Sequence, residues 1–378
     1  MSGRVIVVGS VNIDFVARVP HLPHPGETVT GGSYQRHNGG KGGNQAIAAA
    51  RLRRPTLFIG AVGDDTFASE AKRALSSERV DISMVASLRG QPTGVALILV
   101  DSTGENEIAV VPGANGAIEA GIVRENLSRL GRLTGDVLLV SNEVPIEAVR
   151  EALMCAHAAG ATTILNPAPA VGIERAVFGL ADIITPNRTE LATLLHTDAR
   201  RTGHRTDNQE IPDRARPLLE DIPGAPGVRK AVIVTLGACG VVVLERPGSG
   251  LDGKKPPAIR VEEGSEPAPG EEPSTVEQRE PAETGTSEPA PAIEAPEPQD
   301  GEIKIWDLPA EKVTTVDSTG AGDAFNGALA AAIAEGKPFR EAVQRAVAAG
   351  ALATTRVGAR EGMPTAAELE EFLSERRA

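Results

Sequence analysis

The chain has 378 residues, 41% of them hydrophobic and 2% aromatic, with a formal net charge of −13. That length suits one large α/β domain or two ordinary ones, while the acidic balance and the scarcity of aromatics argue against a nucleic-acid partner. Cys155 and Cys239, each in an apolar run and far apart in sequence, fit neither a disulfide framework nor a zinc site and read as buried, reduced thiols.

The chain opens on a strand-like run, Val5–Val8, with neither the basic segment nor the long apolar stretch of a leader. No apolar run approaches the ~20 residues of a membrane span, so a cytoplasmic protein without a membrane partner is expected. Short β-branched runs at 4–9, 57–62, 136–141, 161–166, 182–185 and 231–236 alternate with Ala-rich helical stretches at 43–53, 67–78, 146–159, 189–196, 323–335 and 340–355. Continuous apolar strands alternating with helices predict an α/β fold: a mostly parallel central sheet with helices on both faces. Two regions break the rhythm. Residues 11–38 carry Pro20, Pro23 and Pro25 between strand-like pieces, and residues 92–111 read as a hairpin turning at Asp101-Ser102-Thr103-Gly104. Both are expected to form a small separate β-sheet, a lid over the open edge of the main one.

The first strand ends in Gly9-Ser10-Val11-Asn12-Ile13-Asp14. Ligands of open α/β sheets bind at the carboxyl ends of strands. In an extended segment Asn12 and Asp14 point the same way, an amide and a carboxylate suited to sugar hydroxyls. Asn38-Gly39-Gly40-Lys41-Gly42-Gly43-Asn44-Gln45-Ala46 follows, with four glycines in nine residues holding backbone close to a ligand and Lys41 and Asn44 adding polar reach. Asn12 and Asp14 serving as turn residues, and Lys41 as a surface charge, is the plainer alternative.

Residues 246–305 differ in kind, with 11 of the 28 prolines and 14 acidic against 6 basic side chains. Such a stretch buries too little to offset its ordering entropy, so an acidic, Pro-rich disordered insertion is expected at 246–302, within a single domain spanning 1–378. A solvated surface loop without further role is the simplest account of it.

The strongest signal comes last. A strand-like approach at 313–316 leads into Asp317-Ser318-Thr319-Gly320-Ala321-Gly322-Asp323-Ala324-Phe325-Asn326-Gly327, which opens an Ala-rich helix. Small residues ahead of a helix N-terminus suit a phosphate, and a carboxylate in the first turn can take a proton from an attacking alcohol. Standing alone, Asp323 would serve equally well as a helix cap. No Gly-Lys-Ser/Thr phosphate loop occurs in the chain.

Together these motifs resemble the ribokinase family of carbohydrate kinases, the PfkB superfamily, from about Val5 to Pro364 outside the insertion. The resemblance is specific at 317–327 and, in its ribokinase form, at 38–46, where fructokinase-like members usually lack the Lys and the Asn-Gln pair. It implies a ribokinase-like fold that moves the γ-phosphoryl group of ATP to the 5-hydroxyl of D-ribose. Asp323 would be the base and Gly320, Ala321 and Gly322 the anion hole. Asn12, Asp14, Gly40, Lys41, Asn44 and Glu143 would bind the sugar. Asn187, Glu190, Thr235, Gly237, Gly240 and Gly322 would serve ATP and Mg²⁺. Asp317, Thr319, Ala353, Arg356, Gly358 and Gly362 match a K⁺ site, although Gly362 stands where ribokinases often carry Ser. A homodimer through the lid strands is also implied. The alternative in the same superfamily is another sugar or nucleoside kinase, such as a deoxyribokinase or fructokinase; a sugar-binding regulator without catalysis is the remaining one.

Overall fold

The computed structural model describes residues 3–197, 210–251 and 302–376. In chain order its strands are β1 (Val5–Val8), β2 (Asn12–Arg18), β3 (Ser33–Gly39), β4 (Thr56–Val62), β5 (Val80–Ser87), β6 (Gly94–Val100), β7 (Asn106–Val111), β8 (Val137–Ser141), β9 (Thr162–Asn166), β10 (Ile183–Ile184), β11 (Ala231–Thr235), β12 (Val241–Glu245) and β13 (Lys304–Leu308). The helices are α1 (Lys41–Arg51), α2 (Thr66–Ser77), α3 (Ala120–Arg129), α4 (Ile146–Ala158), α5 (Arg188–Leu194), α6 (Ile211–Ala215), α7 (Ala321–Glu335), α8 (Phe339–Ala353) and α9 (Ala366–Glu375).

Nine strands form the main sheet in the order β13-β12-β11-β10-β9-β8-β1-β4-β5, parallel except where β12 pairs with β11 and β13. Successive side chains of one strand point to opposite faces. Val5 and Val7 therefore join the core beneath α1, α7 and α8, while Ile6 and Val8 join the core beneath α3 and α4. Burial on both faces is why these strands read as unbroken apolar runs. The strand order reverses at β1, which lies between β8 and β4, and this is where ligands of open α/β sheets gather.

The second sheet, β3-β2-β6-β7, is the expected lid built from the two arrhythmic regions. Only its inner side is covered: β7 is exposed along its whole length. Asn115 ties this sheet to the core. Its side chain accepts from the Val11 amide at 3.0 Å and donates to Asn12 Oδ1 at 2.7 Å.

Three expectations are corrected. Residues 313–316 are not a strand: the sheet ends at β13, and the amides of Val316 and Asp317 both donate to the Thr354 carbonyl at the end of α8. The cysteines are not both buried, since Cys239 is exposed in the turn after β11 and Cys155 only half-buried. The run 182–185 forms only a two-residue strand, β10, flanked by Asp182, whose carboxylate accepts from the Thr163 amide at 3.0 Å. The insertion expected at 246–302 lies, from 252 to 301, outside the described residues; its flanks are the paired ends Glu245 and Lys304.

Candidate active site

The site forms where the first turns of α1 and α7 meet. Small residues make that meeting possible: a Cβ on Gly327 would lie 2.5 Å from the Ala48 Cβ, and one on Gly42 would lie 2.7 Å from Gly9 Cα and Ser10 N. Only glycine lets α7 press on α1 and α1 press on the end of β1. The close approach brings Asp323, in the first turn of α7, between two α1 side chains. Asn44 donates to Asp323 Oδ2 at 3.0 Å and Gln45 donates to Asp323 Oδ1 at 3.1 Å. Gln45 is itself held by Asn166 at 3.0 Å, at the end of β9.

Burial pushes the Asp323 carboxyl above the ordinary carboxylate range, opposed by the Lys41 charge and the two amides. Lys41 shows the converse. Burial works against its ammonium, but the carboxylates of Asp323, Glu143, Glu190 and Asp14 outweigh it and raise its pKa. Glu143 Oε2 accepts from the Ser10 hydroxyl at 2.5 Å and from the Lys41 amide at 3.0 Å, so it fastens the end of β8 to those of β1 and α1.

Asp14 is pushed up to about 6, first by burial and next, against that, drawn down by the neighbouring Arg360 charge. Its Oδ1 is buried without a hydrogen-bond partner, as are Gln45 Oε1 and Arg360 Nη1. Buried polar atoms are ordinarily paired. Acceptors and a donor left unpaired around Asp323 suit a ligand carrying several hydroxyls.

On the other side of α7 lies a pocket of about 510 Å³, whose lining includes Thr235, Gly237, Gly240, Ala321, Gly322 and Phe325. The turn after β11 opens it: Gly240 has φ +89°, and a Cβ there would strike the Leu308 carbonyl at 2.0 Å. Asn187 and Glu190 form a reciprocal capping box on α5, each accepting the other's amide at 2.8 Å. Burial raises the Glu190 carboxyl. Among the described residues no three His, Cys, Asp or Glu side chains converge as a metal cluster. A magnesium ion carried on nucleotide phosphates needs no such cluster, since it keeps most of its waters and takes one or two carboxylates.

Of the positions matched to a K⁺ site, Asp317 accepts from the Thr319 amide and hydroxyl at 2.9 and 2.6 Å and from the Gly358 amide at 2.9 Å. The carbonyl oxygens of Ala353 and Gly358 converge on Gly362, where a Cβ would lie 2.2 Å from the former. The donors are all oxygen, which suits a hard cation, but a side chain has no room at 362. The Arg356 side chain goes elsewhere, to Glu368.

Sequence reasoning missed Gln45 as a contact of Asp323, Asn115 as the lid tie, and Arg360. Arg360 is buried, donates to Asn44 Oδ1 at 2.9 Å and to the Gly39 carbonyl at 2.7 Å, and is held near 10 by burial. The only signal for it was an arginine amid the small residues of the C-terminal loop.

Residues 2–262 and 299–366 match the family described as pfkB family carbohydrate kinase. The chain is 32% identical over 373 residues to the ribokinase of Haemophilus influenzae, covering 99% of each, and 31% identical over 374 residues to that of Schizosaccharomyces pombe, covering 97% of this chain and 96% of the other. Among solved structures, the ribokinase of Thermotoga maritima superposes with a TM-score of 0.71 at 30% identity, covering 98% of this chain and 99% of that one. The Arabidopsis thaliana ribokinase complexed with ribose and ATP gives 0.70 at 27% identity, covering 99% of both.

Proposed function

The chain belongs to the pfkB family of carbohydrate kinases, and we propose that it is a ribokinase, transferring the γ-phosphoryl group of ATP to the 5-hydroxyl of D-ribose. One observation carries this reading: Asp323, gripped by Asn44 and Gln45, stands between unpaired polar atoms suited to a sugar and a pocket suited to a nucleotide. The ribokinase relatives of matching length support ribose as the sugar.

In the proposed reaction the sugar hydroxyl oxygen attacks the γ-phosphorus as the bond to the β–γ bridging oxygen breaks. The hydroxyl proton passes to Asp323, and ADP leaves. Asn12, Asp14, Gly40, Lys41, Asn44 and Glu143 orient the sugar. The amides at the N-terminus of α7, at Gly320, Ala321 and Gly322, would receive the developing charge. Asn187, Glu190, Thr235, Gly237 and Gly240 serve the nucleotide. Mg²⁺ would supply charge neutralisation on the phosphates, near Glu190. K⁺ would be held by Asp317, Thr319 and the carbonyls of Ala353, Arg356, Gly358 and Gly362, beside the anion hole. The enzyme is read as one cytoplasmic domain with the four-stranded sheet as its lid. The lid's exposed edge strand β7, with Ile108 and Val110 outward, supports a homodimer.

The test is a sugar panel with ATP, Mg²⁺ and K⁺. D-ribose should give the highest kcat/KM and ribose 5-phosphate as product. Faster turnover of fructose, 2-deoxyribose or a nucleoside defeats the ribose assignment and leaves the kinase standing.

A further inference from the structure

A second cavity, of about 780 Å³, opens at the amino ends of β4 and β5, the opposite end of the sheet from Asp323. Arginines dominate its lining. Arg53 and Arg79 are the residues that follow the last turns of α1 and α2, and both are left-handed, with φ +62° and +64°. Glycine is the ordinary occupant of that position, because a side chain there is strained. In this chain both places carry arginine, and both arginines border one cavity. Arg54 lines the same cavity, and its Nε and Nη1 are buried without a hydrogen-bond partner. No carboxylate among the described residues pairs with Arg53, Arg54 or Arg79. The cavity's one acid, Glu78, is already held by Arg51 at 2.6 and 2.9 Å. The start of α9, Thr365 to Ala367, also lines the cavity. Glu368 caps Thr365 there, but the amides of Ala366 and Ala367 have no intrahelical acceptor.

Three guanidiniums without an ion-pair partner among the described residues, and a helix N-terminus, line one concavity in a chain of net charge −13. We propose that this cavity is a second anion site, which binds a small phosphate-bearing metabolite outside the active site. Guanidiniums fork onto phosphate oxygens, and the α9 amides add donors of the same sense. The wall also communicates with the catalytic residue. Arg51 donates to the carbonyls of Arg360 and Met363 at 2.5 and 2.9 Å, Arg360 holds Asn44, and Asn44 holds Asp323. Occupancy that shifts Arg51 is therefore felt in the sugar pocket. The inference does not depend on which sugar the enzyme phosphorylates.

The test is calorimetric titration of the full chain with its active site saturated by a non-hydrolysable ATP analogue, Mg²⁺ and D-ribose. Inorganic phosphate and ribose 5-phosphate are the two probes. Wild type should bind one equivalent. Arg53→Asn/Arg79→Asn, which keeps residues that tolerate the left-handed backbone, should bind roughly 10- to 100-fold more weakly, and so should Arg54→Gln. Tighter binding of the sugar phosphate than of free phosphate assigns an organic ligand; equal binding assigns the anion alone. The KM of the sugar substrate should move with added phosphate in wild type and stay fixed in the variants. No binding to wild type, or undiminished binding to the variants, overturns the site. A KM shift that persists in the variants overturns the coupling.

Discussion

Asn44 donates its side-chain amide to Asp323 Oδ2 at 3.0 Å while its own carbonyl oxygen accepts Nε of Arg360 at 2.9 Å. The arginine is a donor only, so it fixes which end of the Asn44 amide faces the carboxylate. A residue at the start of α1 is thereby locked between the C-terminal loop and the first turn of α7. Asp323 is held as an acceptor, oriented and desolvated before any substrate arrives.

Replacing that amide by a second carboxylate tests the arrangement. Asn44→Asp keeps the shape and the Arg360 contact but puts a like charge beside Asp323, which raises the Asp323 pKa further. kcat/KM at neutral pH should fall, and part of the loss should return as pH rises toward 9. Rate profiles across pH give the answer: a deficit of equal size at every pH would show that Asn44 does not act through Asp323.

Asp323→Asn removes the proton acceptor and turns an amide toward the two amides of Asn44 and Gln45. Loss of a general base costs ~10²–10⁴-fold in rate. kcat should fall by that factor with the sugar KM changed little, because the proposed sugar contacts Asn12, Asp14 and Lys41 are left in place. Steady-state kinetics decide it, and turnover within a few-fold of wild type would remove Asp323 from the chemistry.

Asp14 predicts a pH dependence of both rate and stability. Its carboxyl is pushed up to about 6 from an ordinary 3.8, first by burial. The folded state therefore holds the proton more tightly than the unfolded one. The stabilisation from that proton is complete below 3.8 and is lost as pH rises through 6, a swing of roughly 3 kcal/mol at most. The ligand-free Tm should fall from pH 5 to pH 8, and Asp14→Asn should flatten the fall. The same carboxylate must be ionised to accept sugar hydroxyls, so kcat/KM should decline below about 6. An activity profile flat down to pH 5 would contradict the assigned role.

The parts of the site that were legible in the sequence are those whose chemistry is local. Gly320, Gly322 and Asp323 sit within one turn, and Lys41 and Asn44 within another, so residue type and spacing displayed them. The sheet was legible because strands such as β1 and β8 are buried on both faces and leave unbroken apolar runs. Arg360 was not legible: its contact with Asn44 joins residues 316 positions apart and follows no period. Nor was the tie between Asn115 and the lid, which depends on β6 lying beside β2. Residues 313–316 misled because β-branched residues fit an extended loop as well as a strand, and only the absence of a partner among the described residues decides between them.

Two glycines separate folding from catalysis. A Cβ at Gly42 would lie 2.7 Å from Gly9 Cα and Ser10 N, backbone atoms that cannot yield without parting α1 from β1. A Cβ at Gly322 would meet nothing within 4 Å, and its φ is not in the left-handed range. Gly42→Ala should therefore destabilise the protein by about 1–3 kcal/mol through overpacking. Gly322→Ala should leave Tm unchanged or slightly raised, since alanine is the better helix former by up to ~1 kcal/mol. Yet the new methyl would stand where the proposed reaction puts the γ-phosphate against the α7 amides, so kcat/KM for ATP should fall ~10-fold or more, within the range for disturbing such donors. Thermal melts and ATP kinetics on the pair give a direct comparison. A Gly322→Ala enzyme of full activity would place the transferred phosphate elsewhere than at the first turn of α7.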